Sequence, residues 1–192
     1  MDRFVVRLPR LRSSLQAPPA PPPPPPPSKR PRAKANKDEL DRFLGHAEDF
    51  KQALRELRCG EKESHWMWFV FPQLSGMGSS LMALKYGLAD VAEAEAFLAK
   101  AETRNQLLLG LKALLRHRYK AKPRLNDILQ SAVDTKKLVS CVTLFVRVAE
   151  AGGDREVREL CQSVLEWAEE QGWAACQFTS QHLSLYYAGA AL

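Results

Sequence analysis

Residues 64–74 of the chain read Ser-His-Trp-Met-Trp-Phe-Val-Phe-Pro-Gln-Leu, and Trp66 to Phe71 are six consecutive apolar residues that end at a proline. A run that is apolar on every side favours burial, because it has no polar face to turn towards water. Its two tryptophans and two phenylalanines also carry a large apolar area. We therefore predict that residues 66–71 cross the hydrophobic core as a short helix or an extended segment.

The sequence on either side of this run favours helices. After residue 37, apolar residues recur at spacings of three and four, and Pro72 and Pro123 are the only prolines. We predict that residues 38–192 form one all-α, multi-helix domain. Its predicted helices are a first one from Asp38 to Leu57, later ones near residues 81–88, 91–99, 107–115 and 125–129, one that begins at Asp134, one capped by Asp154, and a short last one around Leu183 to Tyr186.

The first 37 residues have a different composition. They hold 11 of the 13 prolines and nine Lys or Arg against one acid, whereas residues 38–192 hold 19 Lys or Arg against 21 acids. The excess positive charge therefore belongs to the first 37 residues, which we predict to be a disordered tail. The slightly acidic body argues against nucleic-acid binding by the folded domain.

The tail offers several alternative roles. The run from Pro21 to Pro27 is typical of polyproline II, which can bind a partner of the SH3 or WW type or act as a spacer. The arginines of residues 1–17 are compatible with organelle import, and the basic cluster of residues 29–34 resembles a nuclear import signal. Because the chain has no long apolar stretch, we expect no membrane span and an intracellular protein, in the cytoplasm or nucleus, with organelle import left open.

Polar side chains border the apolar run and suggest a pocket beside it. A lysine could hold an anionic group over a floor of indole rings, and His65 could titrate near neutral pH. We predict a site for a small anionic ligand there; the alternative is that the run serves only as a core anchor. If the protein is instead an enzyme, His65 and Asp134 are the candidate acid–base residues. The candidate ligand-binding residues are Lys62, His65, Trp66, Trp68, Gln73, Lys137 and Thr143.

The sequence contains no established catalytic motif, so whether the protein is an enzyme stays open. A nucleotide-binding glycine loop, a nucleophile elbow and a zinc-binding HExxH are all missing, and the four cysteines are scattered. We predict no metal and no cofactor. Two other functions remain: an enzyme acting on a nucleotide or ADP-ribose-like compound, and a scaffold that presents the proline tract to a partner domain.

The same residues carry a resemblance to a known family. Residues 64–74, followed by Gly76-Met77-Gly78, Tyr86 and Glu95 to Leu98, closely resemble domain-of-unknown-function family 1810, whose members are sometimes mislabelled calpastatin. A second family motif is matched by Asp134, Lys137-Leu138 and Ser140 to Phe145. The likeness covers about residues 41–150 and implies a mainly α-helical single domain without an established activity. The chain differs from its relatives at residues 100–104, where they carry His-Pro-x-Leu-Gly, and at Cys141-Val142.

Overall fold

A computed structural model describes residues 39–118 and 123–189 of the chain. These residues are helical and form no strand, which confirms the all-α prediction. The predicted tail, with its run from Pro21 to Pro27, lies outside the described residues. The helices are a short 3-10 helix (Glu39–Phe43), α1 (Ala47–Cys59), α2 (Met67–Val70), α3 (Leu81–Tyr86), α4 (Val91–Ala99), α5 (Ala101–Leu115), α6 (Leu125–Leu129), α7 (Ala132–Gly152), α8 (Arg155–Glu169) and α9 (Gln177–Gly189).

The apolar run lies in the core, as predicted. Trp66, Val70 and Phe71 are each at most 1% exposed, and only Trp68 of the six residues keeps partial contact with solvent. Helix α5 approaches this run closely at Gly110, where a Cβ atom would lie 3.0 Å from Val70 Cγ1. The missing side chain at this position therefore allows the backbone of α5 to pack against the run.

Helix α7 is the central element of the fold. It has 21 residues, so it is about 30 Å long, and it packs against α4, α6, α8 and α9. Its start differs from our prediction, which placed it at Asp134. The hydroxyl of Ser131 accepts hydrogen bonds from the N–H groups of Val133 and Asp134, and the helix begins at Ala132. Asp134 therefore lies within the first turn, where its carboxylate can reach other side chains.

The prediction of one continuous first helix was wrong, because this segment is divided in two. A 3-10 helix ends at Phe43, a bend containing Gly45 follows, and α1 begins at Ala47. Glycine weakens a helix interior, which favours the break at this position. Helix α9 is also longer than predicted, because its 13 residues begin at Gln177. The predicted caps Asp90 and Asp154 are confirmed, since each accepts a hydrogen bond from an N–H of the first turn.

Across the described part of the chain, none of the helices combines the length and apolarity that crossing a membrane requires.

Candidate functional site

The two motif segments meet at a cluster of charged and aromatic side chains. Lys62 lies at the edge of the first segment, and its Nζ is 2.9 Å from Oδ2 of Asp134 on α7. Lys137, one helical turn after Asp134, places its Nζ 2.9 Å from the other carboxylate oxygen and 4.3 Å from the centre of the Trp68 ring. We call Lys62, Asp134 and Lys137 the lysine pair site.

Local backbone geometry explains how these three side chains come together. Helix α1 ends at Gly60, whose φ of 83° permits a sharp turn, and the N–H of Lys62 then donates to the carbonyl of Ile128 at 2.8 Å. This bond ties the start of the first motif to α6, which directly precedes α7. Asp134 and Lys137 are three residues apart on α7 and therefore share one face of it.

The lysine pair site is mostly sheltered from water and carries a net positive charge. The side chains of Lys62, Asp134 and Lys137 are 9%, 12% and 18% exposed. Burial by itself raises the pKa of Asp134, but hydrogen bonds and positive charges from Lys137 and Lys62 outweigh that effect and lower the pKa below its ordinary value. The carboxylate is therefore ionised at neutral pH, and it balances one of the two ammonium groups.

Two tryptophans of the first motif border the site and have different environments. Lys62 Nζ lies 5.4 Å from the ring centre of Trp66, whose indole N–H donates to Glu56 at 2.6 Å. The indole Nε1 of Trp68 is also buried, but no hydrogen-bond acceptor for it lies among the described residues. A buried donor without an acceptor is uncommon in folded proteins and calls for an explanation.

Glu56 on α1 organises the loop that leads to the site, although it was not among the site residues predicted from the sequence. It is 6% exposed. Its carboxylate accepts hydrogen bonds from Gln52 Nε2, the N–H groups of Glu63 and Ser64, Ser64 Oγ and Trp66 Nε1, at 2.6 to 3.0 Å. Burial acts to raise its pKa, but these donors prevail and lower the pKa to about 2. An acid among the apolar residues Ala53, Leu54 and Leu57 was the available sequence signal.

Three of the predicted site residues do not join the lysine pair. His65 is exposed, and its ring makes no hydrogen bond or ion pair with the described residues. Gln73 is half-buried and uses its backbone carbonyl to accept from Leu88 N–H. Thr143 is 5% exposed and donates to the carbonyl of Val139 at 2.7 Å. It lies nine residues, or about 13 Å, along α7 from Asp134.

The two motifs also meet farther along α7, beside Cys176. Ser140 Oγ lies 3.2 Å from Met77 Sδ and 3.0 Å from the hydroxyl of Thr179. Burial acts to raise the pKa of Cys176, but hydrogen bonds from Ser140, Thr179 and the N–H groups at the start of α9 lower it overall. The scattered spacing of the four cysteines did not indicate this environment, because the position of Cys176 just before a helix is not visible from cysteine spacing.

Within residues 39–118 and 123–189, no group of three His, Cys, Asp or Glu side chains is arranged to hold a metal ion.

The chain is similar to a family of proteins of unknown function and to one solved structure. A family model described as protein of unknown function (DUF1810) matches residues 37–170. Among solved structures, the conserved hypothetical protein Rv1873 from Mycobacterium tuberculosis is 29% identical, with a TM-score of 0.62 over 75% of this chain and 95% of that one. None of the curated proteins matches. Because the family model spans well over half of its length, the chain belongs to the DUF1810 family.

Proposed function

We propose that this protein is a binding domain for a small anionic ligand, held at the lysine pair site. The observation that carries the proposal is the charge of that site, where two ammonium groups share one carboxylate in a sheltered position. Ionic interactions are stronger in such a place than on an open surface, because water screens them less. A ligand anion would balance the second ammonium group.

The aromatic surroundings support a ligand that is more than a simple ion. Trp68 is half-buried and lies under the Lys137 ammonium group, so a ligand that reaches the lysine also approaches the indole. The indole N–H offers a hydrogen bond to an acceptor once the side chain shifts. This combination of two cations and an aromatic ring fits a phosphate or carboxylate attached to a planar group.

The same observations favour binding over acid–base catalysis. A general base works best with a pKa near the working pH, whereas the two lysines lower the pKa of Asp134. His65 is exposed, and the carboxylate of Asp134 pairs with Lys62 and Lys137 and not with His65, so the two candidate acid–base residues do not form a pair. The scaffold role of Pro21 to Pro27 concerns residues outside the described part of the chain and stays a prediction.

Titration calorimetry on the full chain tests this proposal, with inorganic phosphate, pyrophosphate, AMP and ADP-ribose as probes. We expect at least one probe to bind and to change the tryptophan fluorescence. Lys137→Met should weaken that binding about tenfold or more, which corresponds to about 1.4 kcal/mol. Lys136→Met is the matched control, because Lys136 is exposed at the preceding position of the same helix.

The proposal fails if none of the four probes binds, or if the Lys137 and Lys136 variants bind equally well. Lys62→Met provides a second, independent test from the loop just before the first motif. Circular dichroism of each variant verifies that it has folded. Raising the salt concentration should weaken binding, since screening acts on the charge interaction.

A further inference from the structure

A separate cleft lies between α7 and α9, away from the lysine pair site. Its volume is about 380 Å³, at the small end of the range of ligand pockets, and it is lined by Arg147, Ser180, Leu183, Ser184 and Tyr187. Arg147 is ten residues after Lys137 on α7, or about 15 Å along the helix axis. Four of the five lining residues belong to α9, beyond the residues 37–170 that the family model matches.

One side of the cleft supplies hydrogen-bond donors and a positive charge. Arg147 pairs with Glu150 on its own helix at 2.7 Å, and both side chains are more than half exposed. An exposed ion pair of this kind contributes little, about 0–1 kcal/mol, so an incoming anion can compete for the guanidinium. The pair uses Nη1, and the remaining N–H groups of Arg147 form a planar fork suited to an oxyanion. Ser180 adds a hydroxyl group, whereas the hydroxyl of Ser184, one helical turn later, donates to the backbone carbonyl of Ser180 at 2.9 Å.

The other side of the cleft is apolar. Leu183 is 3% exposed and forms the floor. The Tyr187 hydroxyl donates to Glu95 on α4 at 3.3 Å, and burial together with the charge of Glu95 raises the pKa of Tyr187 above its ordinary value. Tyr187 is therefore a neutral phenol whose hydroxyl is committed to Glu95. Its ring remains as an apolar wall, and no carboxylate lines the cleft.

We propose that this cleft binds a small molecule in which an oxyanion, a carboxylate or a phosphate monoester, is attached to an apolar or aromatic group. The oxyanion pairs with Arg147 and accepts a hydrogen bond from Ser180. The apolar part packs against the Tyr187 ring and Leu183. This site is independent of the proposed function, because it shares no residue with the lysine pair site.

Titration of the isotope-labelled full chain, followed by amide NMR, tests the proposal with benzoate, phenyl phosphate and the neutral isostere benzamide. We expect one of the two anions to shift the amide signals of α9 and of the Arg147 region. Benzamide should bind about tenfold more weakly or not at all, because it offers no charge to the guanidinium. Comparing benzoate with phenyl phosphate identifies the preferred oxyanion.

Variants separate this cleft from other sites. Arg147→Met removes the guanidinium but keeps an unbranched apolar stem, and it should weaken anion binding about tenfold. Arg155→Met, at an exposed position on α8, should leave anion binding unchanged. Lys137→Met should also leave anion binding at the cleft unchanged. Failure of the cleft proposal and failure of the lysine pair proposal can therefore be distinguished. The inference is overturned if neither anion shifts the α9 signals, if benzamide binds as well as benzoate, or if Arg147→Met has no effect.

Discussion

Replacing Glu56 with glutamine should destabilise the fold by an amount that depends on pH. The carboxylate has an ordinary pKa of 4.5 and a pKa of about 2 in the folded protein. Such a difference stabilises the folded state by about 3 kcal/mol at neutral pH. Because typical domains are stable by about 5–15 kcal/mol, the variant should remain folded but be clearly weaker.

Glutamine is a suitable replacement because it removes the charge and keeps the shape. Its amide oxygen can occupy the position of Oε2 and accept from the N–H groups of Glu63, Ser64 and Trp66. Its amide nitrogen then faces Gln52 Nε2 and Ser64 Oγ, and both partners can rotate to accept a hydrogen bond. Glu56→Ala should cost about 1–3 kcal/mol more, since it leaves the buried Trp66 N–H without an acceptor.

The sign of the pH dependence follows from the lowered pKa. The stabilisation is fully present above the unfolded-state pKa near 4.5 and is lost as the pH falls towards 2. Urea denaturation, followed by tryptophan fluorescence, should therefore give a difference of about 3 kcal/mol between wild type and Glu56→Gln at pH ~7. That difference should shrink steadily below pH ~4.5.

Glu61→Gln is the matched control, because Glu61 is an exposed acid of the same loop. It should change the free energy of unfolding by less than about 0.5 kcal/mol at any pH. The reasoning is refuted if Glu56→Gln behaves like this control at neutral pH, or if its effect does not change on acidification.

Three further predictions concern other parts of the fold. Asp134→Asn should lower the free energy of unfolding by about 1–3 kcal/mol at neutral pH, as measured by urea denaturation. The loss should be smaller at acidic pH, because the wild-type carboxylate gains a proton there. A loss that does not depend on pH would contradict this prediction. Gly110→Ala should cost about 1–3 kcal/mol in the same assay because its Cβ meets the core run, whereas Gly152→Ala, with open space around it, should cost nothing; equal effects would contradict this. Cys176 should react with iodoacetamide faster than Cys141 on α7 and Cys161 on α8, because burial raises the pKa of those two thiols. Similar reaction rates in mass spectrometry would refute this prediction.

The core could be predicted from the sequence because its signal is local. Residues 66–71 are apolar on every side, so burial follows whichever secondary structure they adopt. The helix caps Asp90 and Asp154 were also predictable, since an N-terminal cap depends on a side chain and the next three residues. The break after Phe43 was not predicted, because the apolar spacing continues through Gly45. Only tertiary contacts decide the direction of the 3-10 helix relative to α1.

The contacts of the candidate site could be predicted only in part, because they join residues that are far apart in the sequence. Residue type and the family resemblance indicated Lys62, Asp134 and Lys137, but the pairing of Lys62 with Asp134 depends on the bond from Lys62 N–H to Ile128. Glu56 was missed because four of its five donors come from a loop, and no periodic sequence pattern shows in which direction loop N–H groups point. His65 was chosen for its chemistry, yet the neighbouring Trp66 is the residue that turns inward.

The hydrogen-bonding residues in and just before the first motif divide into two groups with different roles. Ser64 and Trp66 satisfy the buried Glu56, so the folding of the loop explains them fully. Lys62 and Trp68 are not explained in this way, because a single lysine would balance Asp134 and the buried indole N–H of Trp68 finds no acceptor among the described residues. Buried charges and donors that exceed what the fold requires are costly, and proteins keep them mainly at functional sites. This excess, located where the two motifs meet, is the physical reason to search for an anion at Lys62 and Lys137.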